Sequence, residues 1–252
     1  MTSLNAWARK AGLIALIIAS SASRAHALQD RAPTDGPRAP VELTESDVAA
    51  SNKKLEMAYG ALVAMWADRF DKLGSRFDTP ALLAYRGNIR TSCGVMTANN
   101  AAYCPTRNAI YFDEVFVAEQ GRMAAQALGT DGDMAAVGII AHEMGHAVAA
   151  QLGLDSRIPY ENEAIADCLA GAFANQSAQD KSLEPGDLDE AFFGMASAGD
   201  PAPPTTGDGR VDRMIARRAA YLGHGTREQR LSNFKTGLNG GAGACLPVFR
   251  SS

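Results

Sequence analysis

The stretch "VGIIAHEMGHAVAAQLG", residues 137–153, decides how the rest of the chain is interpreted. It is an apolar run of mostly small side chains that also contains two histidines and a glutamate. Residues four apart on a helix are separated by about 40° of rotation and one turn of height, so His142 and His146 face one point. Buried imidazoles need a partner to offset their desolvation. The stretch therefore predicts a buried helix that binds a metal ion.

The spacing H-E-x-x-H is typical of zinc peptidases. Glu143 projects about 100° from His142 around the helix, which lets it reach a water molecule beside the metal without being a ligand. Zinc lowers the pKa of a bound water to about 7, and Glu143 would accept its proton as general base. The metzincin continuation is excluded, because it would need glycine and histidine where this chain has Ala149 and Leu152.

A third zinc ligand is expected in the segment "ENEAIADC" (161–168). On a second helix Glu163 and Asp167 would lie on one face, four residues apart. Glu163 can complete a site of two histidines and one glutamate for a single zinc ion. Asp167 can accept a hydrogen bond from the far nitrogen of a ligating histidine. The alternatives are Glu161 as the ligand, or a solvated helix face with no metal role.

Several segments occur in an order that resembles the putative neutral zinc metallopeptidase family of bacteria. They extend well beyond the H-E-x-x-H motif and span most of the chain from about residue 93 to residue 245. The segments are "CG" at 93–94, "YCP" at 103–105, "AHEMGH" at 141–146, "EAIADCLAGAFA" at 163–174, "GDLDEA" at 186–191 and "HGTREQR" at 224–230.

The resemblance implies a helix-rich α+β, zincin-like metalloprotease fold with a small sheet, which we expect to be antiparallel. It also implies peptide or protein substrates. Family members often carry a further histidine and a glutamine after the motif, where this chain has Ala147 and Ala149. That difference leaves the expected site intact, with His142 and His146 as zinc ligands, Glu163 as the third ligand and Glu143 as the catalytic glutamate.

His224 lies between two glycines in one of these segments, which suggests a tight loop. We expect it to reach the zinc pocket and stabilise the oxyanion that develops during hydrolysis. A structural or surface histidine is the alternative. Tyr160 and Tyr221 are weaker candidates for the same role. For Arg227 and Arg230 we expect ion pairs with acidic residues that fix the loop.

The N-terminus predicts export. Two basic residues precede the short apolar run "AGLIALIIASSAS", and "AHA" at 25–27 matches a signal-peptidase site. We therefore expect a signal peptide at 1–27, a flexible lead-in at 28–43 that could restrain activity, and one metallopeptidase domain at 44–252. The expected location is the bacterial periplasm or the exterior, with no stable membrane span after cleavage. A retained N-terminal anchor is the alternative.

Four cysteines in an exported chain favour disulfides. Cys93 and Cys104 bracket a short loop-like segment, so we expect them to pair locally. Cys168 would then pair with Cys245 and tie the C-terminal tail to the middle of the domain. A zinc site built from the four cysteines is disfavoured, because no C-x-x-C spacing occurs.

Helical periodicity predicts further helices on both sides of the motif. The motif helix should begin at an N-cap provided by Asp131 or Asp133 and end at Gly153. An earlier helix should start at the capping-box-like "TESD" (44–47) and stop before Gly74. The later helices are expected at 160–178, 187–198, 210–222 and 226–236, with a loop at 199–209.

The region 80–117 predicts two or three short antiparallel strands. "AIYFDEVF" (109–116) is the best strand candidate. It could be an edge strand that binds an extended peptide by β-augmentation, with Ala109, Tyr111 and Asp113 on one face. A plain core strand is the alternative.

The charge composition of the chain argues against one class of function. A formal net charge of −4 with scattered basic residues argues against a nucleic-acid partner. The sequence thus predicts an exported zinc metallopeptidase. Two alternatives remain: a zinc-stabilised envelope protein that binds or scaffolds without cleaving, and a hydrolase of non-peptide amides. An intact Glu143 argues against the first, because a structural zinc site needs no general base and is usually closed by four protein ligands.

Overall fold

The computed structural model describes residues 42–250. The expected signal peptide and most of the lead-in lie outside these residues. The elements follow in the order α1 (Glu45–Lys72), β1 (Ala81–Tyr85), β2 (Ile89–Thr91), β3 (Gly94–Met96), β4 (Ala101–Cys104), β5 (Ala109–Asp113), α2 (Glu114–Leu128), α3 (Asp133–Gln151), α4 (Pro159–Gln179), α5 (Asp187–Ser197), α6 (Gly209–Leu222), α7 (Arg227–Gly240), α8 (Ala242–Cys245) and a short 3-10 helix (Pro247–Phe249).

This order confirms a helix-rich α+β fold, and the helices predicted after residue 150 lie within a few residues of their expected bounds. None of the helices in the described part is both long and apolar enough to cross a bilayer.

Helix α1 forms where its sequence predicts. Thr44 and Asp47 make a reciprocal capping box at its start. Its apolar stripe is buried in the main core, with Leu55, Leu62 and Trp66 almost fully inaccessible to solvent. The ring of Trp66 packs against Phe249 of the C-terminal 3-10 helix, with their centroids 5.6 Å apart. The first and last described helical segments therefore meet in one core.

The main sheet is mixed, which differs from the antiparallel sheet that we expected. Its strand order is β1-β5-β4, in which β1 runs parallel and β4 antiparallel to β5. Strands β2 and β3 form a separate antiparallel hairpin. The parallel pairing arises because the whole β2–β3 hairpin and β4 intervene between β1 and β5 in the chain, which leaves room for a crossover connection.

Of the two roles considered for "AIYFDEVF", the structure supports the core strand and rules out the edge strand. Strand β5 has hydrogen-bonded neighbours on both sides, so it offers no free edge for a peptide. It is also shorter than expected, because Asp113 ends the strand and caps α2 by accepting a hydrogen bond from the Val115 N–H. Helix α2, which the sequence analysis did not predict, ends at Gly129 in the left-handed conformation.

Helix α3 carries the motif and lies at the centre of the molecule. It contacts α1, α2, α4, α5 and strand β4, which explains why it is apolar on nearly all sides. A Cβ atom added at Gly145 would lie only 2.8 Å from the Cα of Ala166 in α4. The small side chains of α3 therefore let α4 approach its backbone closely, as needed to bring Glu163 to the motif.

The expected N-cap of α3 is wrong. The cap residue is Gly132, with a positive φ of 81° and no side-chain cap bond, and Asp133 is the first helical residue. The free N–H groups of Gly132 and Met134 donate instead to the buried carboxylate of Glu190 in α5, each at 2.9 Å. A neighbouring helix thus provides the capping carboxylate. At the other end Gly153 has the left-handed conformation, φ 68°, that was expected of a helix stop.

Helices α4 and α7 pack backbone to backbone. Glycines on the facing sides, Gly171 and Gly237, leave no room for a Cβ atom against the opposite main chain. Disulfides link Cys168 to Cys245 and Cys93 to Cys104, the pairing that the sequence analysis expected. The first bond ties α4 to α8, and the second ties the β2–β3 hairpin to the end of β4.

Candidate metal centre

Three side chains of the kinds that bind metal ions converge from two helices in the structure. The Nε2 atoms of His142 and His146 on α3 are 3.2 Å apart. Glu163 on α4 places Oε2 at 3.1 Å from His142 Nε2 and Oε1 at 3.4 Å from His146 Nε2. The imidazole rings are perpendicular, at an interplanar angle of 89°. Two nitrogens and one carboxylate therefore face a common point.

This donor set fits a zinc ion. The Oε2 atom of Glu163 is buried, and its 3.1 Å contact with His142 Nε2 does not have the geometry of a hydrogen bond, although a buried carboxylate oxygen is costly without a well-placed partner. Two imidazole nitrogens and a carboxylate are the ligands of catalytic zinc sites, which keep the fourth position for water or substrate. A divalent cation at this point would satisfy all three side chains at once.

Asp167 orients His142 from the opposite side of its ring. Its Oδ1 atom lies 2.9 Å from His142 Nδ1, so Nδ1 would keep its hydrogen, and a bound metal would take the Nε2 lone pair in place of a proton. Asp167 is fully buried. Its charge is balanced by Arg230 of α7, whose Nη2 atom donates to Oδ1 at 2.6 Å and whose Nε atom lies 3.2 Å from both oxygens.

The electrostatics of the cluster depend on these carboxylates. Burial by itself lowers the pKa of His142, but the carboxylates of Asp167 and Glu163 outweigh it and raise the pKa to about 9. Burial likewise raises the pKa of both carboxyl groups, and the histidines, with Arg230 beside Asp167, bring them well below their usual values. The two acids therefore stay ionised, which is the form that a metal ligand and its supporting group require.

Glu143, the residue after His142, is fixed by the sheet. Its Oε2 atom accepts a hydrogen bond of 2.8 Å from the backbone N–H of Tyr103 in β4. This bond leaves the second oxygen of the carboxylate free to take a proton. Because β4 is the outer strand of the sheet, an edge backbone group positions the candidate general base.

A cavity of about 630 Å³ opens over these side chains. Strand β4 and the start of α4 form parts of its wall, and its apolar part is lined by Phe116 of α2, Ile139 of α3 and Met195 of α5. A site of this volume with mixed apolar and polar walls suits a ligand of several residues.

The other residues that the sequence suggested as a ligand or an oxyanion stabiliser form no hydrogen bond or ion pair with the two histidines. His224 lines the same cavity, but its side chain is 66 % exposed and faces Asp200, with Nδ1 at 4.0 Å from the carboxylate. Tyr221 is 61 % exposed on α6, and Tyr160 packs beside Gly225. Glu161, the competing ligand, is exposed and accepts a hydrogen bond from Ser156. The structure therefore brings Glu163, rather than Glu161, to the two histidines.

A second acidic group lies at the start of α3. Asp131, Asp133, Asp187 and Glu190 each place an oxygen within 4.8 Å of the others. Lys54 of α1 forms ion pairs with Asp131 and Asp133 at 2.5 and 3.0 Å. Glu190 caps α3, and Lys54 pairs with two of the aspartates, so these contacts fix the start of the motif helix.

Two functional contacts were missed by the sequence analysis. Arg230 was expected to form an ion pair that fixes its loop; it does pair with an acidic residue, but that residue is Asp167, which holds His142. The Tyr103 N–H that positions Glu143 was not considered. Each contact joins residues at least 40 positions apart in the chain, and one sequence gives no distance between such segments.

Comparison with known proteins agrees with the site. The model of the family described as "putative neutral zinc metallopeptidase" matches residues 11–249. "Uncharacterized protein YpfJ" of Escherichia coli K12 is 33 % identical over 205 residues, which cover 74 % of this chain and 67 % of that protein. "Uncharacterized protein Rv2575" of Mycobacterium tuberculosis is 26 % identical over 188 residues, with coverages of 66 % and 60 %. No solved structure gives a significant match. The chain belongs to the putative neutral zinc metallopeptidase family.

Proposed function

We propose that this protein is an exported zinc metallopeptidase. His142, His146 and Glu163 would hold one zinc ion, and Asp167 would support His142. The observation that supports the proposal best is the convergence of these three side chains around a buried carboxylate oxygen that lacks a hydrogen bond. The two disulfides are compatible with an oxidising compartment outside the cytoplasm.

The proposed reaction is hydrolysis of a peptide bond. Bound zinc would polarise the scissile carbonyl and lower the pKa of water to about 7. Glu143 then removes a proton from the attacking water and passes it to the leaving amine. The hydrogen bond from Tyr103 keeps one carboxylate oxygen of Glu143 in place during both transfers. His224, at the rim of the cavity, is our candidate for stabilising the oxyanion.

The substrate would lie along β4. The Tyr103 N–H faces Glu143 and therefore points away from β5. Because backbone groups alternate in direction along a strand, Ala101 presents its N–H and C=O on the same side. Residues 100–103 all line the cavity. An extended peptide could add to this edge as a further strand and pass over the metal point.

The proposal is tested by digesting a peptide library with the zinc-loaded protein and identifying the products by mass spectrometry. We expect cleavage by the wild type, its loss on chelation and its return with zinc. In Glu143→Gln the rate should fall by about 10² to 10⁴, the typical contribution of a general base, while zinc stays bound.

The two alternatives give different results in the same assay. A zinc-loaded wild type that binds peptides but cleaves none would be a binding or scaffold protein. A wild type that hydrolyses small acyl amides but no peptides would be an amide hydrolase. A His224→Ala variant with full activity would remove that residue from the mechanism.

A further inference from the structure

Helix α6 differs from the other long helices because it has no buried residue. Three of its large apolar side chains are exposed to water: Met214 at 65 %, Tyr221 at 61 % and Leu222 at 66 %. On a helix these three positions lie within about 100° of one another, so they form one apolar stripe. Of the other long helices, α6 contacts chiefly α4. Its outward stripe therefore has no partner within residues 42–250.

Arginines lie along one side of this stripe, and Arg218 projects within it, between Met214 and Leu222. Arg210, Arg213, Arg217 and Arg218 stand against a single aspartate in α6, so the helix carries a net charge of +3 in a chain whose formal net charge is −4. In the described part of the chain, none of these four guanidinium groups has an ion-pair partner. Asp212 accepts hydrogen bonds from Thr206 instead. Basic and apolar side chains thus share the exposed face of one helix.

We propose that α6 docks the protein on the surface of an anionic phospholipid bilayer. Helices that lie in a membrane interface combine long apolar side chains with flanking basic residues. Met214, Tyr221 and Leu222 would enter the boundary between headgroups and acyl chains. The arginines would bind lipid phosphates, for which the planar guanidinium fork is suited. The helix lies on the bilayer and does not span it.

A second copy of the chain fits this face poorly. A two-fold interface places the same patch against itself, which would bring four arginines toward four arginines. Three exposed apolar side chains also offer much less than the roughly 800 Å² per partner of a stable protein interface. An anionic lipid surface provides the opposite charge and needs only a shallow apolar insertion. Charge complementarity therefore favours lipid.

Docking would determine what reaches the cavity. Leu222 ends α6, and His224, two residues later, lines the cavity over the metal centre. The link is ordered, because the His224 N–H donates to Asp200 at 2.6 Å. A docked α6 thus places the mouth of the cavity at the lipid surface, where membrane-associated substrates are concentrated. The lipid binding itself does not depend on peptidase activity.

Vesicle co-sedimentation of the full chain tests this proposal. Vesicles of phosphatidylcholine alone are compared with vesicles that contain phosphatidylglycerol, and the N-terminal segment is common to every protein compared. We expect binding to the anionic vesicles that weakens as salt is raised. Each arginine near the surface should contribute about fivefold, so Arg213→Gln with Arg217→Gln should weaken the partition about 25-fold. Met214→Ser with Leu222→Ser should weaken it on the same vesicles.

The matched control is Arg76→Gln with Arg90→Gln, which makes the same charge change at exposed positions outside α6. It should bind as the wild type does, within about twofold. If the control weakens vesicle binding as much as the α6 variants do, binding depends only on the net charge of the protein and the proposal is wrong. Binding that the α6 variants leave unchanged would also overturn it. A wild type that does not bind anionic vesicles would overturn the proposal, and a dimer broken by the α6 variants would assign the face to a second copy.

Discussion

His142 has a carboxylate partner at each of its two ring nitrogens, and one of these carboxylates is itself paired with an arginine. Glu163 faces Nε2, Asp167 faces Nδ1, and Arg230 neutralises Asp167. Asp167 and Arg230 are buried, so water does not screen the charge of either side chain. From the sequence, the i, i+4 spacing on α3 and on α4 was enough to predict Glu163 and Asp167. The contact of Arg230 with Asp167 could not be predicted, because the two residues are 63 positions apart and no local sequence pattern connects them.

Replacing Arg230 with methionine should therefore damage the protein in two ways. The buried charge of Asp167 loses its partner, which costs on the order of 3–5 kcal/mol of unfolding free energy. The orientation of His142 also loosens, and zinc affinity should fall about 10- to 100-fold. Urea unfolding and chelator competition measure these effects. The exposed Arg90→Met is the control, and equal behaviour of the two variants would contradict the role given to Arg230.

The acidic group beside α3 predicts a pH effect on stability. Burial, with backing from the carboxylates of Asp133, Glu190 and Asp131, raises the pKa of Asp187 to about 6, against about 3.9 in an unfolded chain. Between these pH values the folded state binds more protons than the unfolded state, so this group makes stability fall as pH rises. The ammonium of Lys54, paired with Asp131 and Asp133, limits the effect.

Asp187→Asn removes that ionisation while keeping an acceptor for the Glu184 N–H, which bonds to Asp187 at 2.7 Å. The variant should be more stable than the wild type at pH 8, on the order of 1–2 kcal/mol after solvent screening, and no more stable below pH 4. Thermal unfolding at both pH values measures the difference. An equal gain at both would show that folding does not raise the pKa of Asp187.

At the scale of the element, the site depends on how closely α3 and α4 approach. The sequence predicted this from the small residues Ala141, Gly145 and Ala149, and the structure places Gly145 against the backbone of Ala166. The sequence-based prediction failed where the structure of a segment depends on an element that is distant in the chain. Strand β5 became central because β1 pairs with it, and Asp133 lost the capping role because Glu190 of α5 takes the free N–H groups.

Gly145→Ala should separate the two helices. The added Cβ would lie 2.8 Å from Cα and 2.9 Å from the carbonyl oxygen of Ala166, so the backbones must move, at about 1–3 kcal/mol. Zinc affinity should fall with stability, because Glu163 is one turn before Ala166. Gly60→Ala in α1 is the matched control, since nothing lies within 4 Å of its added Cβ, and it should raise stability by up to about 1 kcal/mol. Two variants with the same sign of effect would contradict this packing.

At the scale of the whole molecule, two disulfides cross-link the fold, one across a long stretch of sequence and one across a short stretch. Cys168–Cys245 closes 77 residues and Cys93–Cys104 closes 11. Each bond lies one residue from a site contact, since Cys168 follows Asp167 and Cys104 follows Tyr103. The sequence indicated the pairing through the short local loop, but not its nearness to the site, which follows from the packing of α4 and β4.

Chain entropy predicts unequal losses when the disulfides are removed. The long loop should cost about 4.5 kcal/mol and the short loop about 2.8 kcal/mol of unfolding free energy. Urea titration of Cys168→Ala/Cys245→Ala and Cys93→Ala/Cys104→Ala, without reductant, measures both. A larger loss in the short-loop variant would show that local strand packing, rather than loop closure, dominates.

We propose that the whole arrangement is a two-helix zinc site, and metal content tests this proposal most directly. Zinc per chain is measured by mass spectrometry in the wild type, Glu163→Ala, Glu161→Ala and Glu143→Gln after the same purification. We expect about one zinc in the wild type, Glu161→Ala and Glu143→Gln, and nearly none in Glu163→Ala, because a catalytic site needs its third protein ligand. Full zinc in Glu163→Ala, or its loss in Glu161→Ala, would contradict the site described above.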